Sequence, residues 1–209
     1  MLDALNTITS SMGITSPIPL LLFLILFLLT ALLLEYAGAR IDEIVRKSVH
    51  IFFSLMLFAA TFFCNQIELL LLGLALLAGM ALFVFDTPPD ERKRALGYIL
   101  FPLGFIVSVL FFSEHNSNAP RFGVLVLGIS DALAALVGKR WGSLWLFGKS
   151  KIGSGVFFAS TLFLSSFFFS SVFAMVCVSI ILTSVELISR RGIDNLVLPV
   201  IAGLLVVLL

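Results

Sequence analysis

Four groups of residues in this 209-residue chain have the types and spacing to do chemistry. The first is built on Asp131, followed by Ala134, Gly138, Lys139 and Gly142. Asp131 lies inside the apolar stretch 122–138. An ionisable group there costs roughly 2.5–3.5 kcal/mol on insertion scales, so it should face a bundle interior or a polar cavity. Asp131, Ala134, Gly138 and Gly142 fall within about 80° of arc on a helix. The acid is thus continued by a strip of small residues, against which another body can approach the backbone. A plain helix contact through small residues, with Asp131 paired to a basic side chain, would explain the strip. The acid on the same face points instead to a ligand or metal site.

The second group is Gly148-Lys149-Ser150-Lys151-Ile152-Gly153-Ser154-Gly155, directly before an apolar stretch. Glycines let backbone N–H groups approach an anion, a helix N-terminus adds its positive dipole end, and two lysines add charge. That describes a phosphate cradle, although the order is not that of a Walker A loop. A flexible loop with lysines at headgroup level is the other reading. The third group is Glu186, Arg190, Arg191, Asp194 and Asn195, with Pro199 beyond. Two carboxylates and an amide are hard oxygen donors of the kind Mg²⁺ uses. The same residues could act as a helix cap and an i, i+4 pair of Glu186 with Arg190. The fourth is Arg46-Lys47-x2-His50, whose spacing lets all three share a helix face. It offers phosphate contacts or an acid/base histidine, or else an interfacial basic anchor.

The elements that must carry these groups follow from composition. Hydrophobic residues make up 60% of the chain and charged ones 12%. A soluble domain is about 45–50% apolar and about 25% charged, so the expected class is an all-α, polytopic transmembrane bundle in one domain over 1–209. The net charge of +1 argues against a nucleic-acid binder. Apolar stretches run over 17–34, 48–67, 69–85, 95–113, 122–138, 152–185 and 195–209. A span needs about 20 residues, so 152–185 is expected to hold two helices, divided near Ser170 and Ser171. Eight spans then put 12 of the 13 Lys and Arg residues on one side and only Arg121 on the other. By the positive-inside rule that side is cytoplasmic, with both termini outside. All four groups fall on it, where nucleotides are. The first apolar stretch lacks a basic flank and is expected to be a retained span. Cys64 and Cys177 are read as packing residues.

The ordered set of motifs resembles the CTP-dependent lipid kinases: dolichol kinase, phytol kinase and CTP-dependent diacylglycerol kinase. The resemblance rests on Asp131-x2-Ala134-x3-Gly138-x3-Gly142, Lys149-Ser150-x-Ile152-Gly153-Ser154, Glu186…Asp194-Asn195…Pro199 and Arg46-Lys47-x2-His50, and covers residues 46–199. Two positions depart from the pattern: Ile152 stands where the family usually has Glu, and Ser130 where many members have Gly. The resemblance implies transfer of the γ-phosphoryl group of CTP, with Mg²⁺, to the hydroxyl of a lipid alcohol in the bilayer. It implies Asp131, Glu186 and Asp194 as metal ligands or as the groups that polarise that hydroxyl. Lys149, Lys151 and the Gly153–Ser154 backbone would bind phosphates. Gly138 and Gly142 would admit the nucleotide, and His50 with Arg46 and Lys47 would supply phosphate contacts or an acid/base group. A more distant likeness to phosphatidate cytidylyltransferases makes cytidylyl transfer the alternative enzyme, and a transporter the non-enzymatic one. The small-residue strip could equally join a second copy of the chain in a homo-oligomer.

Overall fold

The computed structural model describes residues 17–36, 43–86, 92–143, 147–189 and 192–209, and among these every regular element is helical. In chain order they are α1 (Pro17–Tyr36), α2 (Glu43–Phe63), α3 (Gln66–Asp86), α4 (Arg92–Phe112) and α5 (Asn118–Leu125). A π-helical turn, Val126–Asp131, joins α5 to α6 (Ala132–Trp141), and α7 (Lys151–Ser165), α8 (Val172–Ile188) and α9 (Asp194–Leu208) complete the bundle. Side chains at the helix starts set the boundaries. Asn65 and Glu68 cap α3 reciprocally: the Asn65 amide donates to Glu68 Oε2 (2.7 Å) and the Glu68 amide to Asn65 Oδ1 (3.0 Å), a capping box. Ser150 caps α7 through the Gly153 amide (2.9 Å) and Ser171 caps α8 through that of Ala174 (3.4 Å). The long apolar stretch 152–185 is therefore two helices, and the turn falls between Ser165 and Val172, beside the serines expected to mark it.

Among the described residues, two helices are long and apolar enough to cross a membrane by themselves: Gln66–Phe85, and the continuous Asn118–Trp141 that contains the π turn. In the other helices the described apolar parts run 10–17 residues. The outer surface is apolar, with Ile18, Leu82, Phe85, Val172 and Phe173 all more than 70% exposed. Polar side chains go inward instead: His50, Ser54, Ser130, Asp131, Thr161, Glu186 and Asn195 are buried. A body arranged this way, with polar groups inside and large apolar ones outside, suits an apolar solvent.

Helix α9 packs on α4 and α5, α3 on α4, α6 on α7, and α7 on α8, while α2 meets α5, the π turn and α6. Close approaches need glycine. At Gly123 a Cβ would lie 2.7 Å from the Pro199 carbonyl oxygen, and at Gly128 it would overlap Ser54. Gly128 thus lets α2 lie directly against the π turn, which is what brings the ends of Lys47 and Asp131 together.

Candidate functional site

Asp131 closes the π turn in the middle of the long helix and is 2% exposed. π turns of this kind occur mostly as single interruptions of an α-helix, frequently at functional sites. The Asp131 carboxylate accepts from Lys47, which is 3% exposed and reaches it from α2. The basic partner expected for a buried acid is therefore Lys47, 84 residues away in sequence. His50, one turn further along α2, stacks on Phe101 (centroids 5.0 Å apart, 18° between planes) and meets Tyr98 edge-on at 5.7 Å. The side chain of Arg46 lies outside the described residues, as do Arg190 and Arg191.

A second charged group stands nearby. Lys149 donates to Glu186 Oε1 at 2.6 Å and to Asp194 Oδ2 at 3.3 Å. The chain reaches Lys149 through two successive left-handed residues, Phe147 (φ 53°) and Gly148 (φ 83°). Burial works against the charge on Lys149, but Glu186 and then Asp194 hold the ammonium and lift its pKa above the ordinary lysine range. Glu186, at the end of α8, is 3% exposed, and its Oε2 has no hydrogen-bond partner among the described residues. Asp194 opens α9, where an acid also complements the helix dipole. Asn195 beside it is fully buried, donates from Nδ2 to the Gly97 carbonyl (2.7 Å), and keeps Oδ1 unpartnered among the described residues. Asp131 lies within electrostatic reach of both Lys149 and His50, and Glu186 within reach of Asp131 and Asp194. Residues from α2, the π turn, the loop before α7, α8 and α9 therefore form one charged cluster at one end of the bundle.

The glycine strip has a different occupant from a free ligand. Ser150 sits over it: a Cβ at Gly138 would come 2.7 Å from Ser150 Oγ, and one at Gly142 would overlap the Ser150 side chain. A Cβ at Gly153 would come 2.9 Å from the Ala134 carbonyl oxygen. In this arrangement Ala134, Gly138 and Gly142 receive the start of α7. The amide of Gly153 bonds to Ser150 Oγ, and that of Ser154 to the Ser150 carbonyl at 2.9 Å. Both amides proposed for phosphate are thus engaged within the cap. The side chains of Lys149 and Ser154, whose Oγ is buried and unpartnered among the described residues, are what this turn offers. Lys139 and Lys151 are exposed beside it.

Sequence reasoning overlooked Ser54, which is wholly buried where α2 meets Gly128, and the aromatic wall of Tyr98 and Phe101 around His50. The signal for Ser54 was there: it follows His50 at i+4, so it continues the face of Lys47 and His50.

No protein-family model matches the sequence, and no solved structure matches it significantly. The chain is similar to phytol kinase of Synechocystis sp., with 29% identity over 196 residues that cover 85% of this chain and 84% of that one. It is also similar to an uncharacterized protein of Methanocaldococcus jannaschii, with 26% identity over 182 residues covering 78% and 92%.

Proposed function

We propose that this protein is a multi-pass membrane kinase that moves the γ-phosphoryl group of CTP to the hydroxyl of a lipid alcohol. The observation that carries the reading is the cluster of Lys47–Asp131 and Lys149–Glu186–Asp194: paired acids and cations, buried at one end of an otherwise apolar bundle. The similarity to a phytol kinase supports a kinase acting on a lipid alcohol and puts an isoprenoid alcohol first among acceptors. The eight-span topology with both termini outside would place the cluster at the cytoplasmic face, where CTP is available.

Phosphoryl transfer needs positioning and charge neutralisation more than covalent chemistry from the protein. Two carboxylates fit a Mg²⁺ site, because this ion usually takes one or two carboxylates and completes its shell with water and substrate phosphates. The orphaned Glu186 Oε2 gives that fit a physical basis. Mg²⁺ held by Glu186 and Asp194 would neutralise charge developing on the phosphates. Asp131 takes the proton of the lipid hydroxyl as that oxygen attacks phosphorus, and CDP leaves. Lys47 holds Asp131 in place through their ion pair. Lys149, with Lys139 and Lys151 at the rim, binds phosphates. Ala134, Gly138 and Gly142 let the turn carrying Lys149 and Ser150 sit close to the acid. Asn195 ties the start of α9 to Gly97 and so fixes Asp194.

The test is purified protein with Mg²⁺, CTP labelled at the α or the γ phosphate, and a panel of phytol, polyprenols and diacylglycerol. Label from the γ position alone is expected in the lipid. Label from the α position would replace the kinase with a cytidylyltransferase, and no label from either would remove both.

A further inference from the structure

We infer that Lys149 is the resident counter-ion of a divalent-cation site, and that an incoming metal takes over the Glu186–Asp194 pair while the displaced ammonium moves to phosphate. The inference deepens the kinase reading and rests on it only for the identity of the phosphate carrier. The exchange itself stands on geometry.

Among the described residues the charges around Lys149 do not balance. Lys47 answers Asp131, while Lys149 answers two carboxylates, Glu186 at 2.6 Å and Asp194 at 3.3 Å. Among these groups one negative charge is left over, in a place where Glu186 is only 3% exposed. The surplus shows as a particular atom: Glu186 Oε2 is out of contact with water and has no hydrogen-bond partner among the described residues. The Oδ1 of the wholly buried Asn195, next to Asp194, is in the same state. An ammonium is a compact point charge that brings +1 and three donors. A divalent cation brings +2 and accepts oxygen ligands in numbers an ammonium cannot match. It would neutralise both carboxylates and engage the oxygen that Lys149 leaves orphaned.

Lys149 is also the partner that can leave. Its side chain is 24% exposed, against 4% for Glu186. It hangs from the turn made by Phe147 and Gly148 and not from a helix. Release of its head requires no opening of the core, and it stands two residues before the α7 N-terminus, where anions are favoured. One exchange would therefore neutralise the acids and free a cation for phosphate in the same event.

Two measurements test this, neither of which uses lipid or turnover. In the first, Mn²⁺ binding without nucleotide is followed by electron paramagnetic resonance for the wild type and Lys149→Gln. Mildly alkaline buffer keeps protons from replacing the ammonium as competitor. Lys149→Gln should bind Mn²⁺ about tenfold more tightly, the scale of losing one charged hydrogen-bonding competitor. Unchanged or weaker binding would overturn the exchange. The second uses the wild type alone and so does not depend on the variant folding. Lys149 is pulse-acetylated and the modification read by mass spectrometry. Mn²⁺ alone should raise acetylation at Lys149, and Mn²⁺ with CTP should lower it below the metal-only level. Protection by metal alone, or no response to it, would overturn the exchange. Exchange without any lipid phosphorylation would remove the kinase reading and leave the exchange standing; the converse result would do the reverse.

Discussion

The two ends of this bundle hold charge in opposite ways. At one end, Glu68 and Arg121 are each held by neutral groups. Glu68 Oε2 accepts from the Asn65 amide, and the Arg121 guanidinium donates to the Thr61 carbonyl at 2.9 Å, Thr61 Oγ1 at 3.1 Å and Asn118 Oδ1 at 3.1 Å, with Phe62 under it at 4.2 Å. At the other end, cations are held by anions: Lys47 by Asp131, and Lys149 by Glu186 and Asp194. A charge fixed by backbone dipoles has no reason to leave, since nothing mobile carries an equivalent set of dipoles. A charge fixed by an opposite charge can be traded for a metal ion or a phosphate. The first end terminates helices, and the second holds the ion pairs on which the proposed exchange would act.

Breaking the Lys47–Asp131 pair should have the largest effect. Lys47→Met leaves a buried carboxylate unpaired and should cost about 3–5 kcal/mol, read as lost thermal stability in detergent. Lys47→Met with Asp131→Leu should recover most of that stability. It should not recover lipid phosphorylation, which is expected to stay down by about 10²–10⁴-fold, the usual worth of a positioned base. Activity in the stable double variant would show that this end, too, is merely structural. Gly128→Ala comes next. Its methyl overlaps Ser54 and should destabilise by about 1–3 kcal/mol, with the loss of activity exceeding the loss of folded protein because α2 and Asp131 are pushed apart. Arg121→Gln should lower stability by about 1 kcal/mol, as expected for a few hydrogen bonds of a charged group, and leave turnover per folded molecule unchanged. Glu68→Gln should do least, about 0.5–1 kcal/mol for a weakened cap. Turnover falling tenfold in either of these last two would erase the distinction between the ends.

Much of the helix plan was legible in the residues, for a physical reason: an apolar stretch between charges is a local signal. The 34-residue stretch 152–185 had to be divided, and the serines at 170 and 171 stand at the observed turn. The four chemical groups were legible as types. What they would touch was not, because partners separated by 37, 45 and 84 residues leave no mark in spacing. The small-residue face at Ala134, Gly138 and Gly142 shows the same limit. Helical periodicity gave its direction but not its occupant, and Ser150 with Gly153 now stands there. Even the asparagine and glutamate of the capping box at 65 and 68 were available in the sequence, as a pattern that names a helix start rather than a site.

The π turn at Val126–Asp131 carries a consequence for how such a chain can vary. A turn of this kind holds one residue more than the α-helix around it, and each residue in a helix is worth about 100° of rotation. The half of the helix before it presents Gly123 to Pro199, and the half after it presents Gly138 and Gly142 to Ser150. Deleting a single residue, Ile129 for instance, would let the helix close into an unbroken α form and keep its hydrophobicity and length. The two halves would keep their phase, because a π turn takes up its extra residue in one wider turn: Gly123 would still face Pro199, and Gly138 and Gly142 would still face Ser150. A one-residue deletion inside the turn is therefore a milder change than one in the α-helical parts on either side, where each residue lost turns everything beyond it by about 100°.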